Sequence, residues 1–363
     1  MRNLLIILFS FLFHGIGLTQ VNDVNKPVEN FESLWSEFDS RYANFELKQI
    51  NWNKVYEKYR PQVNKNTTNE ELYEVCCAML QELKDGHVRI LPGFKDDKLE
   101  CGPSYACNIQ LEFNSEEKYV AFQYVIDKEL KKNGFSAPVK NNVAKNTNTN
   151  FQYRFSDVYG YLRLDEMTRK NTSGKYQRAI DEAIEALHQK QGLIIDLRFN
   201  GGGWDSSAYK LASRFVAEKS SLGHYERTRI KGKNEFAPMK HREIKSGGKK
   251  QFTNPIVILT SCYTASAAEV FILLLKGLPN VTIIGNNTEG MFSDIYRFKL
   301  PNRWNVTLSN QQFFSMNKEN FEGKGFSPDV LVLNGEKDIE RQSDPVINAA
   351  VTVLKERINS NKI

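Results

Sequence analysis

The chain has 363 residues, with 49 Lys and Arg against 43 Asp and Glu and a formal net charge of +6. This length suits one large domain with a smaller one beside it. The basic residues are scattered instead of forming a stripe, so the charge does not indicate a nucleic-acid-binding protein. Neither the five cysteines nor the five histidines show metal-ligand spacing, and we expect no metal and no other cofactor.

Residues 1–20 differ from the rest of the chain. Arg2 precedes a mostly apolar run from Leu4 to Leu18, and a polar segment follows. This order is typical of a secretory signal peptide and predicts export to the periplasm or the cell exterior. The apolar run is short and interrupted, so an uncleaved signal anchor is the alternative and no other integral membrane domain is expected.

Residues 21–92 are predicted to form a small helical subdomain. Apolar residues recur at helical spacing from Asn30 to Tyr42, and a second helix runs from about Trp52 to Tyr59. A capping box at Thr68–Glu71 opens a third helix, which Gly86 ends before a strand that begins near Val88.

His87 lies at this junction between helix and strand. A histidine in such a place is either a structural hydrogen-bonding residue or a general base, which ordinarily titrates near neutrality. The other histidines have weaker cases, since His224 and His241 fall in a charged segment typical of a surface excursion. If the chain holds a general base, His87 is the best placed.

Residues 93–150 are predicted to be a connector that contains β-structure. Asn108 to Val125 holds two segments that suggest strands, and Lys140 to Asn150 is a polar linker without periodic apolar residues. Cys101 and Cys107 flank a short stretch with Gly and Pro, and a bridge between them would close a small loop in an oxidising compartment.

Residues 151–335 alternate strands with helices. This order predicts a parallel sheet built from right-handed crossovers, and hence an α/β fold. Residues 336–363 supply a closing helix from Asp344 to Arg357. The predicted strands are Val158–Leu164, Gly192–Leu197, Pro255–Thr260, Val281–Gly285 and Val330–Leu333, and the predicted helices are Lys175–Gln189 and Ala265–Leu278.

Ser266 stands where the strand Pro255–Thr260 leads into a helix. A serine at a helix start is often only a cap, but the small residues around this one leave room for another chain to approach its hydroxyl. The first N–H groups of such a helix are unpaired and favour an anion. Ser266 is therefore a candidate nucleophile.

Three glycines, Gly201 to Gly203, directly follow another buried strand. Such a run is either a tight turn or a set of N–H groups that point at a bound oxygen. It matches neither a dinucleotide fingerprint nor a P-loop. Beside Ser266 we interpret it as half of an oxyanion hole, with the N–H of Ala267 as the other half.

A turn-rich loop precedes the strand Val330–Leu333 and carries two glutamates. Glu319 and Glu322 are ordinarily solvated loop acids, yet a carboxylate here could orient a catalytic group.

The segments GLIIDLRFNGGG, VILTSCYTASAAEVF and FEGKGFSPDV together resemble the tail-specific, or C-terminal processing, serine proteases of the S41 type, in particular the tricorn-like branch. The resemblance implies a crotonase/Clp-like αβ-superhelix core. It implies Ser266 as nucleophile, His87 as base and, with Glu319 as the alternative, Glu322 as the residue that orients it. Gly202 or Gly203, with Ala267, matches the oxyanion donors.

Two positions depart from the family pattern. Met291 stands where the processing-peptidase branch has its Lys base, and Gly86 stands where the tricorn-like branch often has a Ser. We therefore predict a secreted or periplasmic endopeptidase of the Ser–His–Glu type that acts on peptide or protein substrates.

A binding protein without catalysis is the rival interpretation. The interphotoreceptor retinoid-binding proteins share the core fold and bind apolar ligands, and fold alone does not decide function. An esterase with the same apparatus is a third possibility. Joint retention of Ser266, His87 and the glycine run favours the hydrolase.

Overall fold

The computed structural model describes residues 26–92, 101–102, 107–139, 151–167 and 174–360. The predicted signal peptide, the polar linker 140–150 and residues 361–363 lie outside these ranges. No helix in the described ranges is long and apolar enough to cross a membrane.

Three helices form the N-terminal part as predicted. The Thr68 hydroxyl accepts from the Glu71 N–H while the Glu71 carboxylate accepts from the Thr68 N–H, so the predicted capping box opens the third helix. A short strand then follows His87. The elements are α1 (Pro27–Arg41), α2 (Trp52–Tyr59), α3 (Asn69–Gln81) and β1 (Arg89–Leu91).

The connector is mainly helical over residues 107–139, and the strands predicted between Asn108 and Val125 are wrong. It forms α4 (Asn108–Glu112) and α5 (Glu116–Lys132), and the Ser115 hydroxyl caps α5 by accepting from the Lys118 N–H. The apolar residues of α5 follow helical spacing, with Phe122, Val125, Ile126 and Leu130 buried on one side. The aromatic and β-branched content of this stretch had favoured strands, but packing against a core decided for helix.

The main domain is organised around a six-stranded sheet. Its strands lie in the order β12-β8-β7-β4-β3-β2, with β2 antiparallel to β3 and every other pair parallel. This confirms the predicted α/β fold. The strands are β2 (Phe151–Phe155), β3 (Tyr159–Leu164), β4 (Gly192–Asp196), β7 (Ile256–Thr260), β8 (Val281–Gly285) and β12 (Val330–Leu331).

Both faces of this sheet are covered, which explains why its central strands are apolar throughout. Ile195 and Ile258 face a core shared with α6, α7 and α8, whereas Ile194 and Val257 face a core shared with α5 and α10. The helices are α6 (Gly174–Leu187), α7 (Asp205–Ala212), α8 (Ala267–Leu275), α9 (Glu336–Arg341) and α10 (Pro345–Ser360).

Two three-stranded sheets complete the fold, in the orders β11-β5-β6 and β1-β10-β9. At the sheet β1-β10-β9, the N-terminal helices pack against residues of the main domain, including Trp304 and Val306. The strands are β5 (Ser221–Thr228), β6 (Lys240–Lys245), β9 (Ile295–Lys299), β10 (Asn305–Ser309) and β11 (Gln311–Phe314).

His224 is not a surface residue, contrary to the prediction. Its ring is fully buried and lies between the rings of Tyr209 and Phe313, with centroid distances of 5.7 and 5.1 Å. Burial lowers the pKa of His224 to about 4, so this histidine is a neutral core residue.

The cysteines pair differently from the suggested bridge between Cys101 and Cys107. Cys101 forms a disulfide with Cys77, and Cys107 forms one with Cys262. Cys101 is drawn away because it makes backbone hydrogen bonds with Ile90, which place it beside α3. The second disulfide ties the start of α4 to the loop that precedes Ser266.

Candidate active site

Ser266 occupies the N-cap position of α8 in an unusual backbone conformation. Its φ of 55° and ψ of −125° are rare for a residue with a side chain and cost about 1–3 kcal/mol. Such strain persists only where the surroundings fix it, and here the Ala265 N–H donates to the Asn200 carbonyl while the Ser266 N–H donates to Glu269. Ser266 is partly exposed.

The glycine run lies directly against this serine. Gly202 has φ +98°, and a Cβ on it would lie 2.6 Å from the Cβ of Ser266 and 3.0 Å from the Ala267 nitrogen. Gly203 has φ +137°, and a Cβ there would lie 2.1 Å from the Met167 carbonyl oxygen. Both positions therefore require glycine, and the structure brings the predicted glycines together with Ser266 and Ala267.

The N–H groups of these residues are not equivalent. The Gly202 N–H donates to Asn200 Oδ1 at 2.9 Å. The N–H groups of Gly203 and Ala267 have no acceptor among the described residues. Of the three predicted oxyanion donors, the N–H groups of Gly203 and Ala267 therefore remain open to a bound oxygen.

Asn200 is a buried residue that the sequence interpretation missed. Its side-chain oxygen accepts from the Gly202 N–H, and its side-chain NH₂ group donates to the Leu164 carbonyl at 2.9 Å. Its backbone carbonyl accepts from the Ala265 N–H. It thus joins the end of β3, the glycine run and the serine loop. Its place beside the glycines was the only signal in the sequence.

Glu269 is a second missed residue and links Ser266 to the segment 288–291. Its Oε2 accepts from the N–H groups of Ser266 and Met291 at 3.1 and 2.7 Å, and its Oε1 accepts from Gly290 and from the Thr288 hydroxyl. Burial raises the pKa of Glu269 to about 7, although these donors favour the charged form. The carboxylate fixes the backbone of the serine.

His87 is buried at the start of β1. Its backbone N–H donates to Asp85 Oδ1 at 2.9 Å, and its backbone carbonyl accepts from the Thr307 hydroxyl at 2.6 Å. Burial lowers the pKa of His87 to about 4, and Arg89 and Lys48 act in the same direction. The imidazole is therefore uncharged above about pH 4, whereas the sequence predicts a base that titrates near neutrality.

The turn before His87 packs on residues 289–291, the segment from which two N–H groups donate to Glu269. A Cβ on Gly86 would lie 2.1 Å from Met291 Sδ and 3.2 Å from Glu289 Oε1. The two departures from the family pattern, at positions 86 and 291, are therefore in contact. Glu269 thus links Ser266 to the segment that contacts the turn before His87, although no direct hydrogen bond joins Ser266 and His87 in the described structure.

Glu322, unlike Glu319, is buried. Its Oε2 accepts from the N–H groups of Phe292 and Ser293 at 2.8 and 3.2 Å, whereas Glu319 is exposed. Burial raises the pKa of Glu322 to about 8, and the charge of Asp85 adds to this rise. Lys48 and the Phe292 N–H oppose it.

His87 and Glu322 lie on either side of the Ser293 backbone without a direct hydrogen bond. Ser293 donates to Glu322, and its backbone also interacts with the His87 ring. His87 Nδ1 and Glu322 Oε1 are both buried without a hydrogen-bond partner among the described residues. The two atoms are a complementary donor and acceptor, since an imidazole N–H can donate to a carboxylate.

A second group of acids lies beyond the glycine run. Asp205 is half-buried, and desolvation raises its pKa to about 8, while Asp294 and Glu226 raise it further and Arg242 lowers it. Within the ranges that the structure describes, no three His, Cys, Asp or Glu residues are arranged to hold a metal ion.

The fold defines an α/β protein whose sheet presents a strained serine against a glycine run. The profile of peptidase family S41 matches residues 158–332, and the profile of the tricorn protease C1 domain matches residues 23–81. Over residues 158–332 the chain is thus similar to peptidase family S41, and over residues 23–81 it is similar to the tricorn protease C1 domain.

The matched relatives are diverse. The carboxy-terminal-processing protease of Bartonella bacilliformis is 27% identical over 183 residues, which are 50% of this chain and 40% of that protein. The tricorn protease of Thermoplasma volcanium is 27% identical over 215 residues, 56% of this chain and 18% of the relative. The chain spans less than half the length of these curated relatives.

Among solved structures, a candidate peptidase from Parabacteroides merdae matches with a TM-score of 0.72 and 26% identity. The match covers 90% of this chain and 96% of that protein. The likeness therefore extends over nearly the whole fold, including the N-terminal helices.

Proposed function

We propose that the chain is a serine endopeptidase that hydrolyses peptide bonds in peptide or protein substrates. One observation carries the proposal: Ser266 is held in a strained conformation against Gly202, beside two N–H groups without an acceptor among the described residues. A residue that only caps a helix needs neither the strain nor the open donors.

In the proposed reaction, His87 accepts the hydroxyl proton as Ser266 Oγ bonds to the substrate carbonyl carbon. The N–H groups of Gly203 and Ala267 stabilise the negative oxygen, each by about 3 kcal/mol. The C–N bond then breaks, and the departing amine takes the proton from His87. Water attacks the acyl-enzyme with His87 again as base, and the released Ser266 regains its proton.

Glu322 would orient the His87 imidazole and stabilise its charged form. The buried, unpaired His87 Nδ1 and Glu322 Oε1 support this role, because they are a complementary donor and acceptor and both residues interact with the Ser293 backbone. Burial distinguishes Glu322 from Glu319, and we assign the role to Glu322.

The proposal is tested by incubating the full chain with a complex peptide mixture and following cleavage by mass spectrometry. Ser266→Ala and His87→Ala should both abolish cleavage, and a fluorophosphonate should label Ser266. The exposed Ser327→Ala variant is the matched control. A folded wild type that neither cleaves peptides nor is labelled would contradict the proposal and favour a binding protein.

We also propose that the protein is exported. The layout of residues 1–20 and the two disulfides both fit an oxidising compartment. Fractionation of cells that express the full chain, with sequencing of the mature N-terminus, tests this. Recovery in the cytosol with residue 1 retained would contradict it.

A further inference from the structure

Lys48 is an unusually buried lysine in the turn between α1 and α2. Its side chain is 11% exposed. The turn is fixed at both ends, because the Ala43 N–H donates to the Ser309 carbonyl and the Lys48 N–H donates to Asn44. An ammonium on a side chain that is largely removed from water requires polar partners.

The partners of Lys48 belong to two different segments. Its Nζ donates to the Lys84 carbonyl at 2.6 Å and lies 4.0 Å from Asp85 Oδ2. The same atom would lie 3.9 Å from a Cβ on Gly323, the residue after Glu322. The ammonium therefore sits between the turn that leads to His87 and the turn that carries Glu322.

We propose that Lys48 is a positioning residue of the proposed catalytic apparatus, whose ammonium pairs with Asp85 and favours the ionised form of Glu322 beside it. The inference rests on the proposed function. Lys48 contacts no reacting atom in this scheme and acts through Glu322 and His87.

The need for a cation follows from the charges in this region. Asp85 is fully buried, accepts from the Tyr42 hydroxyl and the His87 N–H, and raises the pKa of Glu322. Two buried carboxylates without a counterion would not both ionise. Burial alone would raise the pKa of Asp85, but Lys48, His87 and these donors together lower it.

The other charged groups here do not replace Lys48. Glu269 raises the pKa of Glu322, and Glu289 faces Asp85 and Arg89. Arg89 opposes protonation of His87 and of Glu289. Lys48 acts on Asp85, His87 and Glu322 alike.

The test compares Lys48→Met, which keeps the apolar stem, with Lys48→Arg, which keeps the charge. Lys58→Met is the matched control, since Lys58 belongs to the same helical region and pairs with Glu82 on the surface. The ionisation of Glu322 is followed by ¹³C NMR of its carboxyl carbon, assigned with Glu322→Gln. The pH dependence of kcat/KM is measured on a peptide that the wild type cleaves, and thermal unfolding checks that each variant is folded.

In Lys48→Met we expect the Glu322 titration and the acid limb of kcat/KM to move up by about one pH unit, which lowers kcat/KM at pH 7 about tenfold. Lys48→Arg should stay within about threefold of the wild type, and Lys58→Met should be unchanged. A Glu322 titration that does not move in folded Lys48→Met overturns the inference whether or not the wild type cleaves. Absence of cleavage and of Ser266 labelling in the wild type instead overturns the proposed function.

Discussion

Met291 packs directly on Gly86, so that a Cβ at position 86 would lie 2.1 Å from the Met291 sulfur. The contact joins the turn that carries His87 to the segment that Glu269 holds beside Ser266. The flexible end of a methionine fills the space that a side chain at position 86 would occupy. The residues at these two positions are therefore matched to each other.

Gly86→Ser should lower kcat/KM on the order of 10²-fold, because relieving the overlap with Met291 displaces His87. The double variant Gly86→Ser with Met291→Ala should recover much of this loss. Peptide cleavage by the four members of this mutant cycle is the measurement. Gly277→Ser, where a Cβ meets nothing within 4 Å, is the control. Additive losses in the double variant would show that the two positions act independently.

Gly202→Ala should abolish activity and destabilise the fold by several kcal/mol. The new methyl group meets the Ser266 Cβ and the Ala265 carbonyl, both at 2.6 Å, and neither can swing away. Gly232→Ala isolates the backbone term, since Gly232 also has positive φ but is surrounded by open space, and it should cost about 1 kcal/mol. Denaturant unfolding and fluorophosphonate labelling measure the two effects, and equal losses in both variants would contradict the contact.

Glu269→Gln should lower stability by roughly 2–4 kcal/mol and slow labelling of Ser266. The NH₂ group of a glutamine would replace one of the two carboxylate oxygens and would face donors in either orientation. These donors are the N–H groups of Ser266 and Met291 in one orientation, and the Gly290 N–H and the Thr288 hydroxyl in the other. The exposed Glu319→Gln variant should leave both quantities unchanged. A Glu269→Gln protein with wild-type unfolding and labelling rates would show that the carboxylate does not fix the serine.

The pH dependence of kcat/KM should follow Glu322 and not His87. His87, with a pKa of about 4, is already neutral at pH 5.5, whereas Glu322, with a pKa of about 8, becomes a carboxylate only as the pH rises. Activity should therefore climb from about pH 6, reach half of its maximum near pH 8 and level off above about pH 9.

Glu322→Gln removes the carboxyl group whose titration produces the acid limb of the kcat/KM pH profile. We expect kcat/KM about 10² to 10⁴-fold lower and flat between about pH 5.5 and pH 8, since neutral His87 alone remains. Glu319→Gln should keep the wild-type profile. A wild-type acid limb centred near pH 4 would mean that Glu322 ionisation is not required.

Much of the fold was predictable because it is encoded locally. The apolar run from Ile256 to Thr260 and the small residues around Ser266 identified the strand, turn and helix on which the site is built. The capping box at Thr68 identified α3 in the same way. The prediction of strands in the connector was wrong because the composition of Asn108 to Val125 fits a strand or a helix. Only the core against which this segment packs distinguishes the two.

The sequence by itself indicated the family resemblance, the parallel sheet, and the candidate roles of Ser266, His87 and the glycine run, since each depends on residues that are neighbours along the chain. Tertiary structure decided what depends on distant residues meeting: the disulfides, the burial of Glu322 but not of Glu319, and the contact of Met291 with Gly86. It also decided the ionisation of His87 and Glu322, because burial and the charges of Lys48 and Asp85 act through space and not along the sequence.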